Sequence, residues 1–107
     1  MYYIYIIRCH DNSLYTGITN DIKKRMKEHY YKTKEGAKYT RARNIISLEV
    51  LWTAENRSEA SKLEYYLKRL TKIKKEELIK YPSLLDDERY TLQPNITLKQ
   101  CLEKSDD

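Results

Sequence analysis

The chain has 107 residues, 35% of them charged, and a formal net charge of +5. That length supports one small domain with a single modest core, and the apolar runs are too short to cross a bilayer, so separate catalytic and binding domains and a membrane span are both excluded. The charge is uneven: 18 Lys and Arg stand against 10 Asp and Glu in residues 1–80, and 3 against 6 in residues 81–107.

Residues 2–9 are aromatic and β-branched almost without interruption, which predicts a strand covered on both faces and placed centrally in a sheet. His10 to Ser13 is turn chemistry and Leu14 to Ile18 resumes a strand pattern, giving a hairpin. Asn20 is the expected cap of a helix from Asp21 to about Tyr31. A basic loop, KTKEGAKYTRARN, follows. Ser47 to Trp52 reads as a third strand with Leu48, Val50 and Trp52 on one face. Asn56, with Glu59 three residues on, opens a second helix reaching about Leu70, with Ala60, Leu63, Leu67 and Leu70 as its core stripe. A short basic helix from about Ile73 to Lys80 stops before Pro82. The remainder is polar and is expected to be loosely ordered or weakly helical. The sum is an α+β domain over residues 1–80, a three-stranded antiparallel sheet flanked by helices, and a mildly acidic tail over residues 81–107.

A basic body of this kind attracts polyanions, nucleic acid before an anionic membrane, although a solvated charged face gives the same count. Cys9 and Cys101 lack metal-type spacing, which fits a reduced compartment. The amino terminus lacks the order of a signal peptide, and a soluble cytoplasmic protein is expected.

On the first helix Ile22, Met26 and His29 fall in one arc with Arg25 at its edge. An arginine and a histidine at i and i+4 that both lean toward the sheet are unusual; a snorkelling Arg beside a locally bonded His gives the same spacing. Glu64 borders the second helix's apolar stripe, free for a site or paired with Lys68 at i+4. Tyr5 and Tyr15 serve equally as strand packing residues or as phenols over a substrate.

The order of Tyr5, then Tyr15-Thr16-Gly17, then Arg25-x-x-x-His29, then a helical Glu64 resembles the GIY-YIG nuclease family. Tyr3-Ile4-Tyr5 stands at its first triplet and Tyr15-Thr16-Gly17 at its second. "LYTGITNDIKKRMKEH", "GAKYTRAR" and "SEASKLEYYLKRL" are similar to the small stand-alone bacterial branch, over about residues 2–80. Tyr3 replaces the first glycine of the motif, Thr16 its middle isoleucine, and Ile18 stands where some members have a lysine. The resemblance implies Tyr5 and Tyr15 in a catalytic cleft, Gly17 permitting close approach of the backbone, Arg25 on the scissile phosphate, His29 beside the phenols, and Glu64 as ligand of Mg²⁺ or Mn²⁺, weakly held without substrate. A phenol is a poor base at neutral pH unless a cation lowers its pKa, a part that Arg25 could fill.

The implied substrate is DNA, with RNA left open. Lys38, Tyr39, Arg41 and Arg43 of the basic loop, with Lys72, Lys74 and Lys75, would flank the cleft and hold phosphates, Tyr39 stacking on a base. Sequence specificity would come from a protein partner or a DNA structure. A nucleic-acid-binding module without cleavage and a protein-interaction domain with a basic face stand as alternatives. Tyr5 and Tyr15 share a face only if paired residue numbers sum to an even value, so the hairpin is expected to close on an odd-numbered loop or a bulge and not on a two-residue turn.

Overall fold

The computed structural model describes residues 1–31 and 44–103; Lys38, Tyr39, Arg41 and Arg43 lie outside them. The elements are β1 (Tyr2–Cys9), β2 (Leu14–Thr19), α1 (Ile22–Tyr30), β3 (Ile45–Ala54), α2 (Arg57–Lys68), α3 (Lys72–Lys80), a 3₁₀ turn (Pro82–Leu84), β4 (Tyr90–Leu92) and α4 (Leu98–Leu102). The four strands form one antiparallel sheet in the order β2-β1-β3-β4. β1 is interior and buried from Ile4 to Ile7, as a strand apolar on both sides requires.

Each face has its own core. Ile4, Ile6, Val50 and Trp52 pack with Ala60, Leu63 and Leu67 of α2 and Leu78 of α3. Tyr5, Ile7, Cys9 and Leu51 pack with Ile22 and Met26 of α1 and Leu98 and Cys101 of α4. Each buried Leu, Ile or Met side chain contributes about 1.5–3 kcal/mol relative to exposure.

Four local expectations are corrected. The sheet has a fourth strand, because Tyr90–Leu92 pairs with Trp52–Ala54 of β3. The tail is accordingly ordered through Glu103: Tyr90, Leu98 and Cys101 are buried, and the Tyr90 hydroxyl donates to the Glu59 carbonyl at 2.7 Å. These apolar residues are too sparse to give a periodic signal, but the topology delivers them to cores already built. Leu48 does not share a face with Val50 and Trp52. A bulge lies where Ile6 pairs with Val50 and Ile7 with Leu48, skipping Glu49 and turning Leu48 to the α1 side. The cap of α1 is Asp21 and not Asn20: Asp21 has extended backbone and its carboxylate accepts from the Lys24 N–H at 3.1 Å.

Asn56 caps α2 as expected, accepting from the Glu59 N–H at 2.9 Å, while the Glu59 carboxylate pairs with Lys62 and Arg89. The skipped Glu49 has a use. Its carboxylate accepts from Arg8 Nε, and Arg8 Nη1 donates to Glu76 of α3 at 2.9 Å and to Asn12 of the hairpin loop at 2.8 Å. One guanidinium thereby ties β1, β3, the hairpin and α3 together.

Candidate active site

The hairpin closes on three residues, His10 to Asn12. The Asn12 N–H donates to the Cys9 carbonyl and the Cys9 N–H to the Ser13 carbonyl, both at 2.9 Å. Asn12 sits at φ 69°, a left-handed conformation that Asn tolerates better than most residues. The odd count sets Tyr5 opposite Gly17 and Ile7 opposite Tyr15. Both phenols therefore project from one face of the sheet, as the even-sum register expectation requires.

Gly17 is needed for space, since its φ is not positive. A Cβ there would lie 2.4 Å from the Tyr5 hydroxyl oxygen and 2.6 Å from Cζ, and 3.2 Å from Cε2 of Tyr15. What approaches the backbone is the Tyr5 ring. It lies across the bare glycine of the edge strand β2, so its hydroxyl reaches the rim of the sheet while Tyr5 itself is 0% exposed.

Two helices on opposite faces meet that rim. From α1, His29 is buried and its Nε2 lies 2.8 Å from the Tyr5 hydroxyl. The Tyr5, Tyr15 and His29 rings form a triangle with centroid separations of 6.5, 5.7 and 5.6 Å, distances at which edge-to-face contact is favourable. Arg25, one turn earlier, faces the Tyr5 hydroxyl and pairs with Glu28 at 3.3 Å. From α2, Glu64 comes close enough for its charge to act on the Tyr5 hydroxyl. Glu64 also forms the i+4 ion pair with Lys68, at 3.4 Å, and the Lys68 ammonium lies 5.9 Å from the centre of the Tyr15 ring. Of the two meanings open for Glu64 in the sequence, the pair with Lys68 is present.

Burial governs the protonation of this cluster. It pushes the Tyr5 hydroxyl well above the ordinary phenol range, and the Arg25 cation only partly opposes that. Arg25 therefore does not bring the phenol down as a nearby cation could: desolvation outweighs it, and Tyr5 is a neutral phenol at neutral pH. Burial first, and then the Arg25 charge, lower His29 to about 4, so the imidazole is neutral too. A neutral imidazole with its proton on Nδ1 accepts the Tyr5 hydroxyl hydrogen at Nε2.

Beside the cluster lies a cleft of about 310 Å³ whose walls include Ile18, Lys24, Arg25, Glu28 and Arg57. Ile18 pairs with Ile4 and packs in the core on the α2 side, so a side chain at position 18 starts from the face opposite the phenols. Arg57 was not singled out by the sequence; its signal was its place seven residues, about two turns, ahead of Glu64 on the same side of the helix. Lys72 is not at the phenol cluster: its ammonium donates to the Asn12 carbonyl of the hairpin loop at 2.6 Å. Lys74 borders a groove beside Leu70, which precedes α3, and Leu78 of α3, and Lys75 is half-buried.

Among the described residues no three His, Cys, Asp or Glu side chains gather as a cation cage. A single carboxylate, Glu64, at an open rim suits Mg²⁺, which keeps most of its shell as water and phosphate oxygens and needs few protein ligands.

The chain is 44% identical over 96 residues to a UPF0213 protein of Clostridium perfringens, covering 90% of this chain and 100% of that one. It is 38% identical over 94 residues to UPF0213 protein YazA of Bacillus subtilis, covering 88% and 93%. Among solved structures, the solution NMR structure of a UPF0213 protein from Bacillus halodurans is 41% identical, with a TM-score of 0.48, over 75% of this chain and 84% of that one. Residues 1–77 match the GIY-YIG catalytic domain, and the chain belongs to that family.

Proposed function

We propose that the protein hydrolyses phosphodiester bonds in DNA with a divalent cation held by Glu64. The observation that carries this reading is the convergence of Tyr5, Tyr15, Arg25, His29 and Glu64, drawn from four elements and both faces of the sheet, on one rim beside an open cleft. Arg25 would hold the scissile phosphate through charge-assisted hydrogen bonds, with the Tyr15 hydroxyl at its side. A water against the Tyr5 hydroxyl would give that oxygen a proton as Tyr5 passes its own to His29 Nε2, leaving hydroxide to attack phosphorus while the P–O bond to the leaving sugar oxygen breaks and that oxygen takes a proton from solvent. An imidazole near pKa 4 is a weak acceptor, but a bound phosphate offsets the Arg25 charge that helps hold His29 down. Mg²⁺ on Glu64 would supply positive charge to the phosphoryl oxygens.

The test is to incubate the protein with single-stranded, nicked and branched DNA, with and without Mg²⁺ or Mn²⁺, beside Glu64→Ala and matching RNAs. Metal-dependent cutting of DNA that disappears in Glu64→Ala is expected. Absence of cutting, or equal cutting by the variant, would remove the enzyme. Binding that weakens steeply with salt would then leave a nucleic-acid-binding module.

A further inference from the structure

Most arginines in the described residues whose side chains are tied down meet carboxylates: Arg8 has Glu49 and Glu76, Arg25 has Glu28, and Arg89 has Asp87 and Glu59. Arg57 is exposed and pairs with no carboxylate among the described residues. It also occupies a distinctive place. It walls the cleft beside Arg25, and it is the first residue of a shallow groove along α2 formed with Ser58, Ser61, Lys62 and Tyr65. The cleft and the groove are thus joined at one guanidinium.

The far end of the groove carries an aromatic ring that packs on no core. Tyr65 is 64% exposed. Arg69 donates to its hydroxyl at 2.9 Å and lies 5.3 Å from the ring centroid, so the ring is fixed in orientation before any partner arrives. Arg57, Ser61 and Tyr65 recur every four residues along α2, a rise of about 6 Å per step, of the order of one nucleotide step, and Arg69 follows at the same spacing just past the end of the helix. Cation, hydroxyl, exposed ring and second cation in file form a platform for a sugar-phosphate backbone with an accessible base. A duplex keeps its bases stacked and offers such a ring nothing; an unpaired strand offers a π-face.

We propose that this side of α2 carries a single-stranded DNA flank of the substrate out of the cleft, Arg57 holding the phosphate where cleft and groove join and Tyr65 with Arg69 stacking on a base. The proposal rests on the cleft being a phosphodiester site.

It is tested with the full chain carrying Glu64→Gln, by fluorescence anisotropy on branched DNA whose single-stranded flap is lengthened stepwise. Affinity should rise with flap length and then level off. Tyr65→Ala should remove that rise, a loss of roughly tenfold on long flaps, while Tyr65→Trp keeps it. Arg57→Ala should weaken binding at every flap length and lower the salt slope by about one. A flap-independent affinity, or equal behaviour of Tyr65→Ala and Tyr65→Trp, would overturn the proposal. Cutting by the unsubstituted chain, measured alongside, judges the cleft separately: flap-independent binding with intact cutting defeats the α2 track alone.

Discussion

Arg8 and Arg25 stand on neighbouring elements, one on each side of the sheet, and their surroundings teach opposite lessons. Arg8 is met by two carboxylates and an Asn side chain, which hold its guanidinium protonated beyond the ordinary arginine range; its charge is matched within the fold. Arg25 pairs with one carboxylate, Glu28, and lies beside a phenol and an imidazole kept neutral by burial. The first arrangement is a clamp between strands and helix, whereas the second sets a cation beside neutral hydrogen-bonding groups, the setting that the proposed phosphate site would use.

Exchanging the two arginines' fates is the sharpest way to break that contrast. Arg25→Ala should lower DNA cleavage by about 10²–10³-fold, the cost of removing a charge-stabilising donor, with little change in melting temperature. Arg8→Ala should do the reverse, losing about 2 kcal/mol because Glu49 and Glu76 remain half-buried without their cation, or roughly 10 °C in Tm, with the cleavage rate per folded molecule retained. Cleavage and thermal melting on the same samples decide, and parallel losses in both variants would abolish the distinction.

Gly17→Ala attacks the rim directly. The added methyl is borne on backbone and Tyr5 has no space to retreat into, so roughly 1–3 kcal/mol of stability should go, together with about 10²-fold of cleavage as the hydroxyl is displaced. If the strain lies at Tyr5, adding Tyr5→Val should return the melting temperature while leaving activity absent.

The neutral state of His29 has a pH signature. Unfolded, its pKa is about 6.5; folded, it is about 4. Between those values the unfolded chain takes up a proton that the folded chain refuses, so stability should fall as pH drops through that window, by up to a few kcal/mol. Denaturant melts of His29→Gln should show a shallower pH slope there, and an unchanged slope would contradict the buried neutral imidazole. The smallest effect belongs to Thr16, whose hydroxyl is buried without a hydrogen-bond partner among the described residues. Thr16→Val should be neutral or raise stability by about 1 kcal/mol, read as a small upward shift in melting temperature.

Much of this was legible beforehand where the signal is local. The apolar run of β1, the Ile22, Met26 and His29 arc and the Ala60, Leu63 and Leu67 stripe are each written within one element. The even register of the hairpin followed from asking that two phenols share a face. What escaped was set by distant partners. Tyr90 joins the sheet only because Trp52 and Ala54 already form its other side, and Leu48 changes face through a bulge whose reason, Glu49 meeting Arg8, spans 41 positions. Gly17 was noticed for the right property, the missing side chain, but its beneficiary, the Tyr5 ring, is visible only once the strands are paired.

α4 leans on α1, burying Leu98 and Cys101 among the residues that seat Met26 and Ile22. The helix bearing Arg25 and His29 is consequently gripped between the sheet and a segment that begins some twenty positions beyond the family match. A protein trimmed to the matched stretch would keep every motif residue and still lose the splint behind its own chemistry, so for this chain the stretch that matches the catalytic domain is shorter than the unit of mechanics.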